Sequence, residues 1–181
     1  MPENSLFNEI RIGEQLITGG QPSAEQLRAL AAAGCRTVIN LAPATSQGAL
    51  PDEGELVHAL GMAYHHIPVA WDRPSPADFQ TFDAVMQALP PGPALLHCMA
   101  NYRVTAFYGL HAMKHLGWSA DQADALMAPI WQGELYPAWR DFIHDQGEVL
   151  LFRNIAQHPI PRGLEVVQTH SVRIFRRRHL C

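Results

Sequence analysis

Apolar residues recur along this chain in two rhythms. Short continuous runs bounded by Gly and Pro predict buried strands, and stretches with apolar positions three or four apart predict helices. Residues 7–12 and 15–18, split by Gly13 and Glu14, predict a short hairpin or two edge strands. Gly19, Gly20, Gln21 and Pro22 form a turn. Ser23 and Gln26 then make a capping box for a helix with Leu27, Leu30 and Ala31 on its apolar face, stopped at Gly34. Residues 36–41 are rich in β-branched side chains and predict a buried parallel strand.

A loop over 42–50 leads to a helix over 51–60 with acids in its first turn, then a strand over 63–69. Phe79, Phe82, Val85, Met86 and Leu89 place an amphipathic helix over 76–89. Pro90, Pro91, Gly92 and Pro93 end it and launch a central strand over 94–97. Further helices are predicted over 103–115, from the cap Ser119 to about 130, and over 137–151. Trp118, Trp131 and Trp139 are read as packing residues that join this helical layer. From Phe152 the pattern fades, and 165–175 reads as a strand or a peripheral arm. The alternation of strand and helix is that of right-handed α/β units. It predicts an α/β domain over 1–151 and a C-terminal arm over 152–181.

Composition narrows the class. The 181 residues are 48% hydrophobic and 17% charged, which describes a globular chain with room for one core. No apolar run reaches the length of a membrane span, and the first residues lack a signal-peptide pattern, so a cytoplasmic location is the default expectation. Cys35, Cys98 and Cys181 lie far apart, without metal or redox spacing. Arg173, Arg176, Arg177 and Arg178 crowd the end of a chain whose net charge is −4, leaving −8 on the rest. A body this acidic argues against a nucleic-acid surface, and the basic end reads as a solvated tail.

The candidate chemistry lies where the central strand ends. His97 and Cys98 close an apolar run, four residues follow, and Arg103 opens a helix. A strand that breaks into a tight loop and then a helix aims backbone N–H groups and the helix dipole at one point. Cys98 is expected to ionise readily there, and Arg103 to offer a forked cation to an oxyanion. Two histidine pairs read as structural. His65 and His66 are adjacent and face opposite sides of a strand, and His111 and His115 show no acid beside them in the sequence.

His97, Cys98, Arg103 and Thr105 resemble the signature of the cysteine-based protein tyrosine phosphatases. More narrowly, Thr18, Gly19, Gly20, Gln21, Pro22 and Ser23 resemble the early motif of the bacterial DUF442 phosphatase-like family. The resemblance spans roughly residues 7–143. It implies a three-layer α/β fold with a central, mostly parallel sheet of four to five strands flanked by helices. It implies hydrolysis of phosphate monoesters through a phosphocysteine, of dual-specificity type, with no metal or other cofactor.

By the same likeness Cys98 is the nucleophile. Met99, Ala100, Asn101, Tyr102 and Thr105 join Arg103 in holding the substrate, and His97 supports the loop. An aspartate on an upstream loop serves as general acid. Asp72, at the carboxyl end of a strand, matches that context, and Asp78 is the alternative, although it also suits a helix cap.

The spacing departs from the phosphatase pattern, with four residues rather than five between Cys98 and Arg103. Either one residue is deleted and Arg103 keeps its role, or Val104 holds the arginine position and Arg103 is rotated about 100° on its helix. A six-residue loop from Cys to Arg is also the length seen in rhodanese-type sulfurtransferases, which carry a persulfide on the same cysteine. A non-catalytic module binding phosphate or phosphopeptides is a third reading.

Overall fold

The computed structural model describes residues 5–133, 135–157, 164–169 and 172–177. The chain divides into two compact units between Gly147 and Glu148. The first unit is built on a sheet of five strands: β1 (Ile10–Ile12), β2 (Leu16–Gly19), β3 (Thr37–Asn40), β4 (Ala63–His66) and β5 (Ala94–His97), in the order β1-β2-β5-β3-β4. β1 and β2 are antiparallel; the other three pairings are parallel. β5 is the middle strand, and all four of its residues are buried. Its sequence, Ala-Leu-Leu-His, is apolar without alternation because both of its faces are covered.

Helices α1 (Ala24–Ala32) and α2 (Glu53–Ala59) cover one face. Their core joins Leu27 and Val57 to Val38 and Leu95 of the sheet, with Leu6, Cys35 and Met62. The other core gathers around Phe107 of α4 (Tyr102–His115). Phe79 and Phe82 of α3 (Pro76–Gln87) meet its ring edge-on at 5.6 Å, and Trp139 and Phe142 of α6 (Pro137–Gln157) pack at 5.8 and 5.6 Å. α4 is buried from Arg103 through Met113. At Gly109 a Cβ would lie 3.2 Å from the Ala123 Cβ, so glycine lets α5 (Ala120–Met127) approach closely. The result is the expected three-layer α/β architecture with a mostly parallel sheet.

Capping boxes at Ser23, Ser75 and Ser119 start α1, α3 and α5. Other boundaries differ from the sequence pattern for local reasons. β1 begins at Ile10 because Asn8 turns left-handed at φ 52°. α2 begins at Glu53, not 51, because Asp52 is left-handed at φ 55°. β4 ends at His66 rather than 69: Ile67 and Val69 still donate to Asn40 and Leu41, but Pro68 between them has no N–H to give. α6 runs to Gln157, six residues past the predicted end. In the second unit the alternation over 165–175 forms two antiparallel strands, β6 (Leu164–Thr169) and β7 (Val172–Arg177). Arg178 lies outside the described residues.

Candidate active site

Cys98 leaves the carboxyl end of the central strand, where open α/β sheets bind ligands. Its N–H bonds the Gly19 carbonyl at 3.3 Å, and the loop then folds against the turn that follows β2. Gly20 bridges Ala100, and the Gln21 N–H donates to the Met99 carbonyl at 3.1 Å. Asn8 Nδ2 donates to the Ala100 carbonyl at 3.1 Å. A peptide's N–H points opposite to its C=O. With these two carbonyls tied to one side, the Ala100 and Asn101 amides face the other.

Asn101 takes the left-handed conformation (φ 69°) that begins α4, and its Nδ2 donates to Asn8 O and Thr18 Oγ1 at 2.7 and 2.9 Å. The Gly-Gly-Gln motif therefore braces the cysteine loop. A Cβ on Gly20 would sit 3.0 Å from the Met99 carbonyl oxygen and 3.2 Å from the Phe7 carbonyl oxygen.

Arg103, in the first turn of α4, is 6% exposed. Its Nε donates to the Val69 carbonyl at 2.9 Å, and its guanidinium lies 5.3 Å from the centre of the Trp71 ring. No carboxylate pairs with it among the described residues. Cys98, Met99, Ala100, Tyr102 and Arg103 line one cleft of about 510 Å³ with Trp71, Trp131, Gln132 and Tyr136. Trp71 stacks on Trp131 at 5.8 Å and meets Tyr136 at 5.6 Å, and Trp131 meets Tyr102 edge-on at 4.9 Å. Trp139, fully buried behind them, donates its Nε1 to the Trp71 carbonyl at 2.7 Å. The arrangement pairs a thiol and an unpaired buried cation with aromatic walls.

Five of the residues named from sequence thus meet at the cleft; the others stand elsewhere. Asp72 is exposed, one residue beyond Trp71 and outside the lining. Asp78 is committed to its cap, accepting from Ser75 N and Oγ at 3.1 and 2.7 Å. The Thr105 hydroxyl sits 3.1 Å from the carbonyls of Asn101 and Tyr102 and accepts from Trp131 Nε1 at 3.1 Å, so it buttresses the helix start and a wall of the cleft. Asn101 is a brace rather than a lining residue. Trp131 and Trp139 do pack, as expected, but Trp131 also faces the cleft, and neither Trp71 nor Tyr136 was singled out for such a role. Trp71 had one usable signal, its place on the loop after β4.

Behind the cysteine, His97 Nε2 lies 2.9 Å from Glu53 Oε1, with both side chains buried. Glu53 also accepts from Gln21 Nε2 at 2.5 Å and Asn40 Nδ2 at 3.2 Å. Burial alone would raise the Glu53 pKa; the hydrogen bond and charge of His97, with bonds from Gln21 and Tyr64, outweigh it and hold the carboxyl below its ordinary value. The buried side-chain atoms without a partner among the described residues are Gln21 Oε1, His97 Nδ1 and Asn101 Oδ1. All three belong to residues beside the cysteine loop, where spare polar capacity suits a ligand site.

A protein of Shewanella putrefaciens CN-32, described as a "Putative phosphatase (DUF442)", superposes with a TM-score of 0.73 at 34% identity, covering 80% of this chain and 94% of that one. The chain belongs to the DUF442 family. Its fold is that of the cysteine-based phosphatases: P. aeruginosa TpbA matches with a TM-score of 0.64 at 19% identity, over 82% of this chain and 91% of that one. A "Beta-lactamase hydrolase-like protein" of Xylella fastidiosa (strain Temecula1 / ATCC 700964) is 29% identical over 120 residues, 65% of this chain. This DUF442 chain spans 28% of that relative's length. No family model matches the chain. Among the described residues no helix is long and apolar enough to cross a membrane.

Proposed function

We propose that this DUF442 chain hydrolyses phosphate monoesters through Cys98. The observation that carries the reading is the meeting of Cys98 and the unpaired, buried Arg103 in one cleft. The Cys98 thiolate attacks phosphorus, the S–P bond forms, and the P–O bond to the leaving group breaks. Arg103 and the loop amides hold the non-bridging oxygens. Asp72 protonates the leaving oxygen, since Asp78 is held in its cap. Water then attacks phosphorus, gives its proton to Asp72, and the S–P bond breaks to release phosphate.

Turnover of p-nitrophenyl phosphate tests this. Cys98→Ser should abolish it, and Arg103→Lys should lower kcat/KM by about 100-fold or more, the usual cost of one oxyanion donor. Equal rates in wild type and Cys98→Ser would overturn the proposal. Tight phosphate binding without turnover would mark a non-catalytic binding module instead.

The six-residue span from Cys98 to Arg103 and the lack of a carboxylate in the described cleft lining favour a second reading, sulfur transfer. The thiolate attacks the sulfane sulfur of thiosulfate, sulfite departs with the S–S electron pair, and a persulfide remains on Cys98. No general acid is needed. Mass spectrometry after thiosulfate treatment should then show about +32 Da on Cys98, one added sulfur. An unchanged mass would remove this reading.

A further inference from the structure

We propose that Asp83, His111 and His115 form a binding site for a divalent transition ion of the zinc class, separate from the cysteine cleft. His111 and His115, four residues apart, share one face of α4, and α3 brings Asp83 against them. That acid lies 28 or more residues away in sequence, and its presence removes the premise, no acid beside the histidines, on which an ordinary helix face was expected.

The geometry is close to that of a site. Asp83 Oδ1 lies 2.8 Å from His111 Nδ1 and 2.9 Å from His115 Nε2, and the three donor atoms lie within 4.8 Å of one another. Ligands bound about 2.0–2.2 Å from one ion at near-tetrahedral angles stand roughly 3–3.5 Å apart. Small outward shifts of the two rings therefore make room. Two imidazoles and a carboxylate suit Zn²⁺, Co²⁺ or Ni²⁺ better than Mg²⁺ or Ca²⁺.

The frame is rigid where it needs to be. Asp83 is 3% exposed and His111 6%, with the Phe82 ring edge-on to His111 at 6.2 Å. The His115 side chain is 27% exposed, which leaves an entry path and space for water ligands. Lys114 Nζ and Gln87 Nε2 hold Asp83 Oδ2 at 2.6 and 3.2 Å; His115 Nε2 also lies 3.1 Å from Oδ2, and Oδ1 is the oxygen nearer to both histidines. By helix rise these histidines lie about 12–18 Å along α4 from Arg103, so the ion would not share the cleft.

Calorimetric titration of the full chain with Zn²⁺, and visible absorption with Co²⁺, test the proposal. One equivalent should bind, equally well in Cys98→Ser. His115→Ala, a change at the most exposed ligand, should weaken binding by more than the roughly tenfold that losing even an outer partner costs. Asp83→Asn should do the same, and if it fails to fold His115→Ala decides alone. No binding, undiminished binding in His115→Ala, or binding lost in Cys98→Ser would each overturn the site.

Discussion

The Glu53 carboxylate accepts from His97 Nε2 at 2.9 Å, directly behind the residue that carries the thiol. With Glu53 held ionised, His97 presents Nε2–H to it, and this fixes the orientation of the ring. The bond also gathers α2, β3, β4, β5 and the Gly-Gly-Gln turn at one buried point. Asn40 Nδ2 reaches both Glu53 and the Tyr64 hydroxyl, at 3.2 and 3.1 Å. Burial, chiefly, pushes the Tyr64 pKa up to about 12, with Glu53 adding to the rise, so the phenol stays neutral and remains a donor.

Removing one member of this buried set should therefore cost more than a surface change. Glu53→Ala leaves His97 Nε2 without its acceptor, takes one of two from Asn40 and Gln21, and should destabilise the fold by about 3–5 kcal/mol, the range for breaking a buried pair. Glu53→Gln keeps an acceptor and should cost less. Urea denaturation of the two variants measures the order; a neutral Glu53→Ala would show that the network contributes nothing.

The same carboxyl sets an acid limit. Its folded pKa lies below the ordinary value of 4.5, so its contribution is complete above that pH and is lost as pH falls from 4.5 through the folded value. Asp83, depressed below 3.8, adds a loss of the same sign slightly lower. Stability followed from pH 6 downward should fall in wild type, and fall less steeply below about pH 4.5 in Glu53→Gln. Parallel curves would remove Glu53 from the cause.

Sequence pattern carried the frame well because periodicity reports which faces are buried. β5, α4 and the caps at Ser23, Ser75 and Ser119 follow from local signals alone. Cys98 and Arg103 were legible because a strand, a tight loop and a helix lie contiguous in the chain. Glu53 was not, since an acid in the first turn of a helix is already explained by the dipole, and only the packing of α2 beside β5 turns it toward His97. Asp83 likewise looked like one more polar position until α3 crossed α4. Trp131 and Tyr136 lie 60 or more residues from Trp71, and no local rule joins them across one cleft.

Asn101 separates two contributions to the loop. Glycine there would remove the cost of a left-handed backbone, which is about 1 kcal/mol for a residue such as alanine. It would also remove the two bonds to Asn8 and Thr18. Asn101→Ala should therefore be the less stable variant by about 1 kcal/mol, with both below wild type. Thermal melts of the pair measure the difference, and a variant more stable than wild type would show that the side-chain brace does not matter.

Gly20→Ala should act on the cysteine loop from the far side. Its methyl would press the Met99 carbonyl oxygen at 3.0 Å and the Phe7 carbonyl oxygen at 3.2 Å, both main-chain atoms with little freedom to yield. The methyl forces the braced segments apart at a cost of about 1–3 kcal/mol, typical of overpacking. The amides that depend on the Met99 and Ala100 carbonyls being held turn with them. Oxyanion binding and turnover should fall together while Cys98 and Arg103 are both present. Gly13→Ala is the comparison: its Cβ meets nothing within 4 Å, so it carries only the backbone cost of its positive φ. Equal activity in the two variants would mean that the motif and the loop are neighbours without being coupled.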